Sequence, residues 1–282
     1  MPATCALALA AMPRAARAQG IVPGGGDDRA LRVCADPNNM PFSNQNREGF
    51  ENKIADVLAK ATHARVEYTW WAQRRGFIRN TLGARSCDVV IGMPTKSDMV
   101  RTTRPYYRST YVFLYRRDRG YHIASLDDAV LKRLRIGVHF IGADYGNPPV
   151  AQALAQRGMA QNVVGYSIYG DYSKSNPPAN LVDAVAKGDV DIAIIWGPFA
   201  GYFAPRERVP LEIVPVSPVV DPGALQYTFD ISVAVRRGDD SLAVAMQHAI
   251  DTNRDAIQRI LDHYHVPRAE LPVADARAHG GE

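Results

Sequence analysis

Four carboxylates stand where a side chain can reach a ligand, in turn-rich loops or at helix starts: Asp36, Glu48, Glu51 and Asp144. A cleft carboxylate can act as general acid or base. That work needs a second group held in fixed relation to it, and no spacing in the chain supplies one. G-x-S-x-G, Gly-rich phosphate loops and G-x-G-x-x-G are all absent. Single loop carboxylates ordinarily cap helices or stay solvated, so an enzyme is not expected. His263-x-His265 offers two ligands near the C-terminus, too few for a metal site. Of three cysteines, Cys5 lies in an N-terminal apolar run. Cys34 and Cys87 remain, either as one disulfide or as two buried thiols.

The elements that must position these residues read as α/β. Leu31–Ala35 is a short buried strand entering a turn-forming loop, Asp36 to Phe42. Ile54, Val57, Leu58 and Ala61 recur at helical spacing, Val66–Trp70 alternates as a strand, Phe77 to Leu82 is a short helix, and Asp88–Met93 is an apolar strand. This alternation is the pattern of a parallel sheet. A second unit follows. It holds Tyr111–Tyr115, a helix opened by Ser125 and Asp128, strand Arg135–His139, a helix within Gly146–Arg157, strand Val163–Val164, helix Leu181–Ala186 and strand Val190–Trp196. Phe229–Val235 and one long helix from Asp239, striped by Leu242, Met246, Ile250, Ile257 and Leu261, cannot bury themselves. Returning them to the first unit gives two α/β lobes joined by two crossover strands, with a cleft between. Lobe 1 is then residues 30–115 and 225–275, and lobe 2 residues 116–224.

Composition excludes several classes. With 33 basic against 29 acidic residues and no long Lys/Arg block, nucleic acid is not an expected partner. The apolar runs fall short of the roughly 18 residues of a membrane span. Residues 1–18 read as an export signal: an apolar run, Ala3 to Met12, precedes Ala16-Arg17-Ala18, a small-x-small cleavage pattern. Export places the chain in the periplasm.

The order of elements over residues 30–265 resembles the type II periplasmic solute-binding protein fold. The stretches LRVCADPNNMPFSN, EGFENKIA, YTWWAQRRGFIRNTL, CDVVIGMP and TTRPYYRSTYVFLYRR, all between Leu31 and Arg117, are similar to the MxaJ/XoxJ family, the lanthanide-type XoxJ branch more than the calcium-type MxaJ branch. That resemblance implies a non-catalytic periplasmic accessory assisting maturation or activation of a pyrroloquinoline-quinone methanol dehydrogenase in its apo or immature form. It implies no cofactor of the chain's own. The alternative is the receptor of a transporter for a small non-amino-acid solute. In the 2-1-3 strand order usual for this fold, Cys34 and Cys87 lie on neighbouring strands, which favours the disulfide.

Amino-acid receptors of this fold follow the Gly of this strand with Thr-x-Thr-x-x-Arg, whose guanidinium grips the ligand carboxylate. Here Gly92 is followed by MPTKSDM, leaving only Lys96, Arg101 and Arg104 as substitutes. Loops at the carboxyl ends of strands line such clefts. That rule selects Asp36, Asn38, Asn39, Phe42, Trp70, Trp71, Arg74, Thr95, Arg104, Tyr106, Tyr107, Asp144, Tyr145, Trp196 and Phe199 as binding residues. The set is aromatic enough for a wide apolar groove with a polar rim of Asp36, Arg74, Arg104 and Asp144, fit for a protein segment. Tyr166 to Ser173 reads either as a partner-binding loop or as a cap over the second lobe, the cap being the simpler reading.

Overall fold

The computed structural model describes residues 29–95, 97–140, 148–168, 173–220 and 225–269. The export-signal segment, Lys96, Asp144, Tyr145 and the centre of the Tyr166–Ser173 cluster lie outside that set.

The chain opens with β1 (Ala30–Ala35), a small hairpin of β2 (Asn38–Asn39) and β3 (Ser43–Asn44), helix α1 (Phe50–Ala61) and β4 (Arg65–Trp70). Helix α1 forms because Phe50, Ile54, Ala55, Leu58 and Ala59 share one buried face. Burying side chains the size of Phe50, Ile54 and Leu58 stabilises by roughly 1.5–3 kcal/mol each. The Asn52 side chain accepts from the Gly49 N–H at 3.1 Å and fixes the helix start. Gly49 is required there, since a Cβ would lie 2.0 Å from the Phe42 carbonyl oxygen.

Next come α2 (Phe77–Asn80), β5 (Val89–Pro94), β6 (Arg101–Thr102) and the long β7 (Tyr107–Arg116). Strand β1 runs parallel between β4 and β5, the 2-1-3 order that the fold resemblance implies. Cys34 and Cys87 are joined in a disulfide with Cα atoms 5.6 Å apart. The second unit holds β8 (Ile136–Phe140), α3 (Pro149–Gln156), β9 (Val163–Ser167), α4 (Asn180–Lys187), β10 (Ile192–Trp196), α5 (Gly197–Phe203) and β11 (Leu211–Pro215). Then β12 (Thr228–Val235), α6 (Asp240–Thr252) and α7 (Arg254–His263) return to the first.

The full strand order is β4-β1-β5-β12-β7-β10-β8-β9. Strand β7 belongs to both lobes. Tyr107–Thr110 pairs antiparallel with β12, and Tyr111–Tyr115 pairs antiparallel with β10. The sheet therefore changes lobes between Thr110 and Tyr111, earlier in the chain than the 115/116 boundary drawn from sequence.

Two local expectations are corrected. Ser125 and Asp128 open no α-helix, only a 3-10 turn, Ala129–Arg133. Asp128 is occupied in holding back the chain, accepting from the Ala124 and Ser125 N–H groups at 2.9 Å each. The long C-terminal helix is two helices. Asn253 breaks it at φ −120°, ψ 22°, with its side chain donating to the Ala249 carbonyl at 2.9 Å in competition with the helical ladder.

Candidate functional site

A cavity of about 340 Å³ lies where the two lobes face each other. The first lobe supplies Asn39, Phe42, Glu51, Gln73, Gly92, Pro94, Tyr107, Phe229 and Ile231 to its wall. The second supplies Tyr111, Pro149, Ile168, Trp196 and Phe199. Its lining is aromatic because both crossing strands carry aromatics there. Trp196 meets Tyr111 with ring centroids 5.5 Å apart and Phe229 at 5.8 Å. Phe42 touches Phe199 edge to face at 5.1 Å, a contact between lobes. Asn38 makes another, donating through its side chain to the Lys174 carbonyl at 2.8 Å.

Five of the residues chosen from sequence come together here: Asn39, Phe42, Tyr107, Trp196 and Phe199. The others are placed elsewhere, for identifiable reasons. Asp36 forms no rim. It is fully buried and accepts the Asn38 and Gln73 N–H groups at 2.8 and 2.7 Å, which organises the loop. Tyr106 and Tyr107 are neighbours on extended chain and cannot share a face. Tyr106 points into the first lobe's core, its hydroxyl donating to the Ile91 carbonyl at 3.2 Å. Arg104 turns to the outer face of α6, paired with Asp251 at 2.5 Å, and Arg101 pairs with Asp240 at 2.8 Å. Neither reaches the cavity as a substitute carboxylate clamp. Trp70 stacks on Tyr68 at 4.4 Å, Trp71 is exposed, and Arg74 is exposed as well. Thr95 binds back to β12 through the Asp230 carbonyl and the Ser232 hydroxyl.

Sequence reasoning left Glu51, Gln73, Tyr111, Pro149, Ile168, Phe229 and Ile231 out of the binding set. Phe229 and Ile231 alternate on β12, so one face of that strand carries both, a legible signal. From sequence, Glu51 is a candidate acid and nothing more. It sits on the first turn of α1, buried and facing the backbone of Gly92, where a Cβ would fall 1.8 Å from Glu51 Oε1. Burial pushes its carboxyl up to about 8, and Asp36 adds to the rise. Asn39 Oδ1 is likewise buried and accepts no hydrogen bond from any described residue. Among the described residues no group of three His, Cys, Asp or Glu is arranged to hold a metal. No helix of the described residues is long and apolar enough to cross a membrane.

The architecture has known relatives. The model of the bacterial extracellular solute-binding proteins, family 3, matches residues 31–267. Protein MoxJ of Methylorubrum extorquens is 30% identical over 260 residues, covering 88% of this chain and 84% of its own length. The crystal structure of MxaJ from Methlophaga aminisulfidivorans superposes with a TM-score of 0.74 at 28% identity, covering 85% of this chain and all of that one. The periplasmic binding protein XoxJ of Methylobacterium extorquens gives 0.69 at 32% identity, covering 86% of this chain and all of that one. XoxJ has the higher identity and MxaJ the higher TM-score of the two. The matched span takes in both lobes, the shared strand and the cavity between them: the chain belongs to family 3 of the bacterial extracellular solute-binding proteins and, within it, to the MxaJ/XoxJ family.

Proposed function

We propose that the chain is a non-catalytic periplasmic accessory of a pyrroloquinoline-quinone methanol dehydrogenase, and that its inter-lobe space engages a segment of the apo or immature enzyme. Similarity to MoxJ, MxaJ and XoxJ supports the association. The observation that carries the reading of the site is its wall. Among the described residues, six aromatic rings and no basic side chain face a cavity of about 340 Å³, a surface for apolar side chains and not for an amino-acid carboxylate. That volume receives one or two side chains of a partner segment. A longer segment enters only if the Phe42–Phe199 and Asn38–Lys174 contacts part, which makes the wide groove an opened form of this cleft.

The test replaces Trp196, in the wall, and Trp71, exposed at the end of β4, with Ala together. Buried aromatic anchors contribute about 2 kcal/mol or more to an interface. Dehydrogenase activation in cells and co-purification from methanol-grown periplasm are expected to fall while the circular dichroism spectrum is unchanged. Full activation by the folded double variant places the contact on another surface. A second reading, reception of a small non-amino-acid solute for a transporter, is favoured by the modest volume of the cavity, about 340 Å³. A stoichiometric small molecule retained in native mass spectrometry selects it.

A further inference from the structure

Two acceptors without donors face the cavity from the first lobe. Glu51 is 8% exposed and its carboxylate receives no hydrogen bond from any described residue. Asn39 is 3% exposed, and its Oδ1 is unpaired while its Nδ2 donates weakly to Gln73 Oε1 at 3.4 Å. A buried acceptor left unpaired costs free energy until a donor reaches it. Aromatic faces of Phe42, Tyr111, Trp196, Phe199 and Phe229 surround the rest of the space. Aromatic faces attract cations and accept alkyl chains equally well.

The charges agree with the hydrogen bonding. The titratable groups that feel Glu51 are Asp36 from the loop after β1, Tyr68 from β4, and Tyr106 and Tyr107 at the start of β7. All are acids, and none is a cation. Asp36 receives two backbone N–H groups, and its proximity adds to the rise of the Glu51 carboxyl. Among the described residues the lining holds a carboxyl and an amide oxygen on one side, apolar rings on the other, and no basic side chain.

The geometry points to a binding site for an alkylammonium group, with Glu51 and Asn39 Oδ1 taking its N–H donors and the aromatic wall covering its alkyl part. The same chemistry arrives either on a free amine or on a lysine side chain of a partner segment. The inference concerns the cavity itself, and it holds whether or not that segment belongs to a dehydrogenase. Because the empty site keeps Glu51 protonated near neutrality, uptake of the cation expels one proton from Glu51 to solvent.

Isothermal titration calorimetry of the full chain with n-butylammonium, n-butanol and butyrate tests it. Butylammonium is expected to bind, at least tenfold more tightly than butanol, and butyrate not at all. Wild-type affinity should rise with pH up to about 8, and the heat at pH 7 should depend on the buffer's ionisation enthalpy, reporting the released proton. Glu51→Gln should weaken butylammonium at least tenfold at pH 8.5 and abolish the buffer dependence. A capped tripeptide with a central lysine separates the sources: tighter binding than butylammonium assigns the site to a protein segment, weaker binding to a free amine. Equal affinity for butanol and butylammonium, or a pH-independent wild-type affinity, overturns the proposal without recourse to the variant. Those outcomes leave the dehydrogenase association intact, since it is read from co-purification.

Discussion

Phe42 and Phe199, carried by different lobes, meet edge to face with ring centroids 5.1 Å apart and planes at 80°. Both rings are buried, at 8% and 4% exposure, and they close one side of the cleft. Aromatic pairs of this geometry are worth about 0.5–1.5 kcal/mol beyond the area they bury. Phe42→Ala and Phe199→Ala should each destabilise by about 3 kcal/mol in urea. The double variant should fall short of additivity by the coupling energy. Strict additivity would mean that the rings are apart in solution and the cleft stands open.

The disulfide closes a loop of 53 residues in sequence separation between β1 and the start of β5. A bridge over such a loop stabilises by about 2–4 kcal/mol. The variant with both Cys34 and Cys87 changed to Ser should lose that much in denaturant unfolding. Thiol titration of residues 29–269, unfolded without reductant, should find none free.

Asp88 is held by Arg32 at 2.6 Å and by Arg236 at 2.9 Å. Burial alone pushes its carboxyl up, and the hydrogen bonds from Arg32 and Arg236 outweigh that and leave it lowered. A lowered carboxyl contributes stability above its unfolded value, near 3.8, and loses that contribution as pH falls through the folded value. Asp88→Asn should cost roughly 2–4 kcal/mol near neutrality, since the buried Arg236 then keeps one carboxylate, Asp239 at 2.7 Å, beside the Cys87 carbonyl. It should also flatten the acid limb of the stability profile below pH 4, measured by urea midpoints.

Glu51 has the opposite sign. Its folded value is pushed up to about 8 from 4.5, so the folded state holds the extra proton between those limits. Stability then falls as pH rises through that window, by about 1.4 kcal/mol for each unit of difference as an upper bound. Glu51→Gln should remove the slope and make the variant more stable than wild type at pH 8.5 but not at pH 5. A wild-type profile that is flat from pH 5 to 8.5 contradicts the burial of this carboxyl.

What the residues disclosed and what they hid follow from the range of the forces involved. Strand β1 and helix α1 were legible because apolar periodicity is a local signal, whereas the 2-1-3 order, and with it the Cys34–Cys87 bridge, was implied by the resemblance to a known fold. The break at Asn253 was not, because Ile250, Ile257 and Leu261 keep helical spacing across a side chain that caps its own backbone. In the cleft, the strand-end rule selected Phe42, Tyr107, Trp196 and Phe199, which line the cavity. It misplaced Arg104, whose direction is set by Asp251, distant in sequence. Glu51 escaped the binding set because its environment is made by Gly92, on the opposite side of α1's start, and only the fold joins the two.

Strand β12 is inserted between β5 and β7 although the chain makes it last of the three. Until residues 228–235 arrive, β5 and β7 have no partner on their facing edges, and the first sheet is split. The second unit, by contrast, is contiguous from Tyr111 to Pro215 and needs nothing from the C-terminus for its strand pairing. The N-terminal part of the chain, though made first, is therefore completed last. A polypeptide emerging end-first cannot complete the pairing of that sheet before nearly all of the chain has appeared.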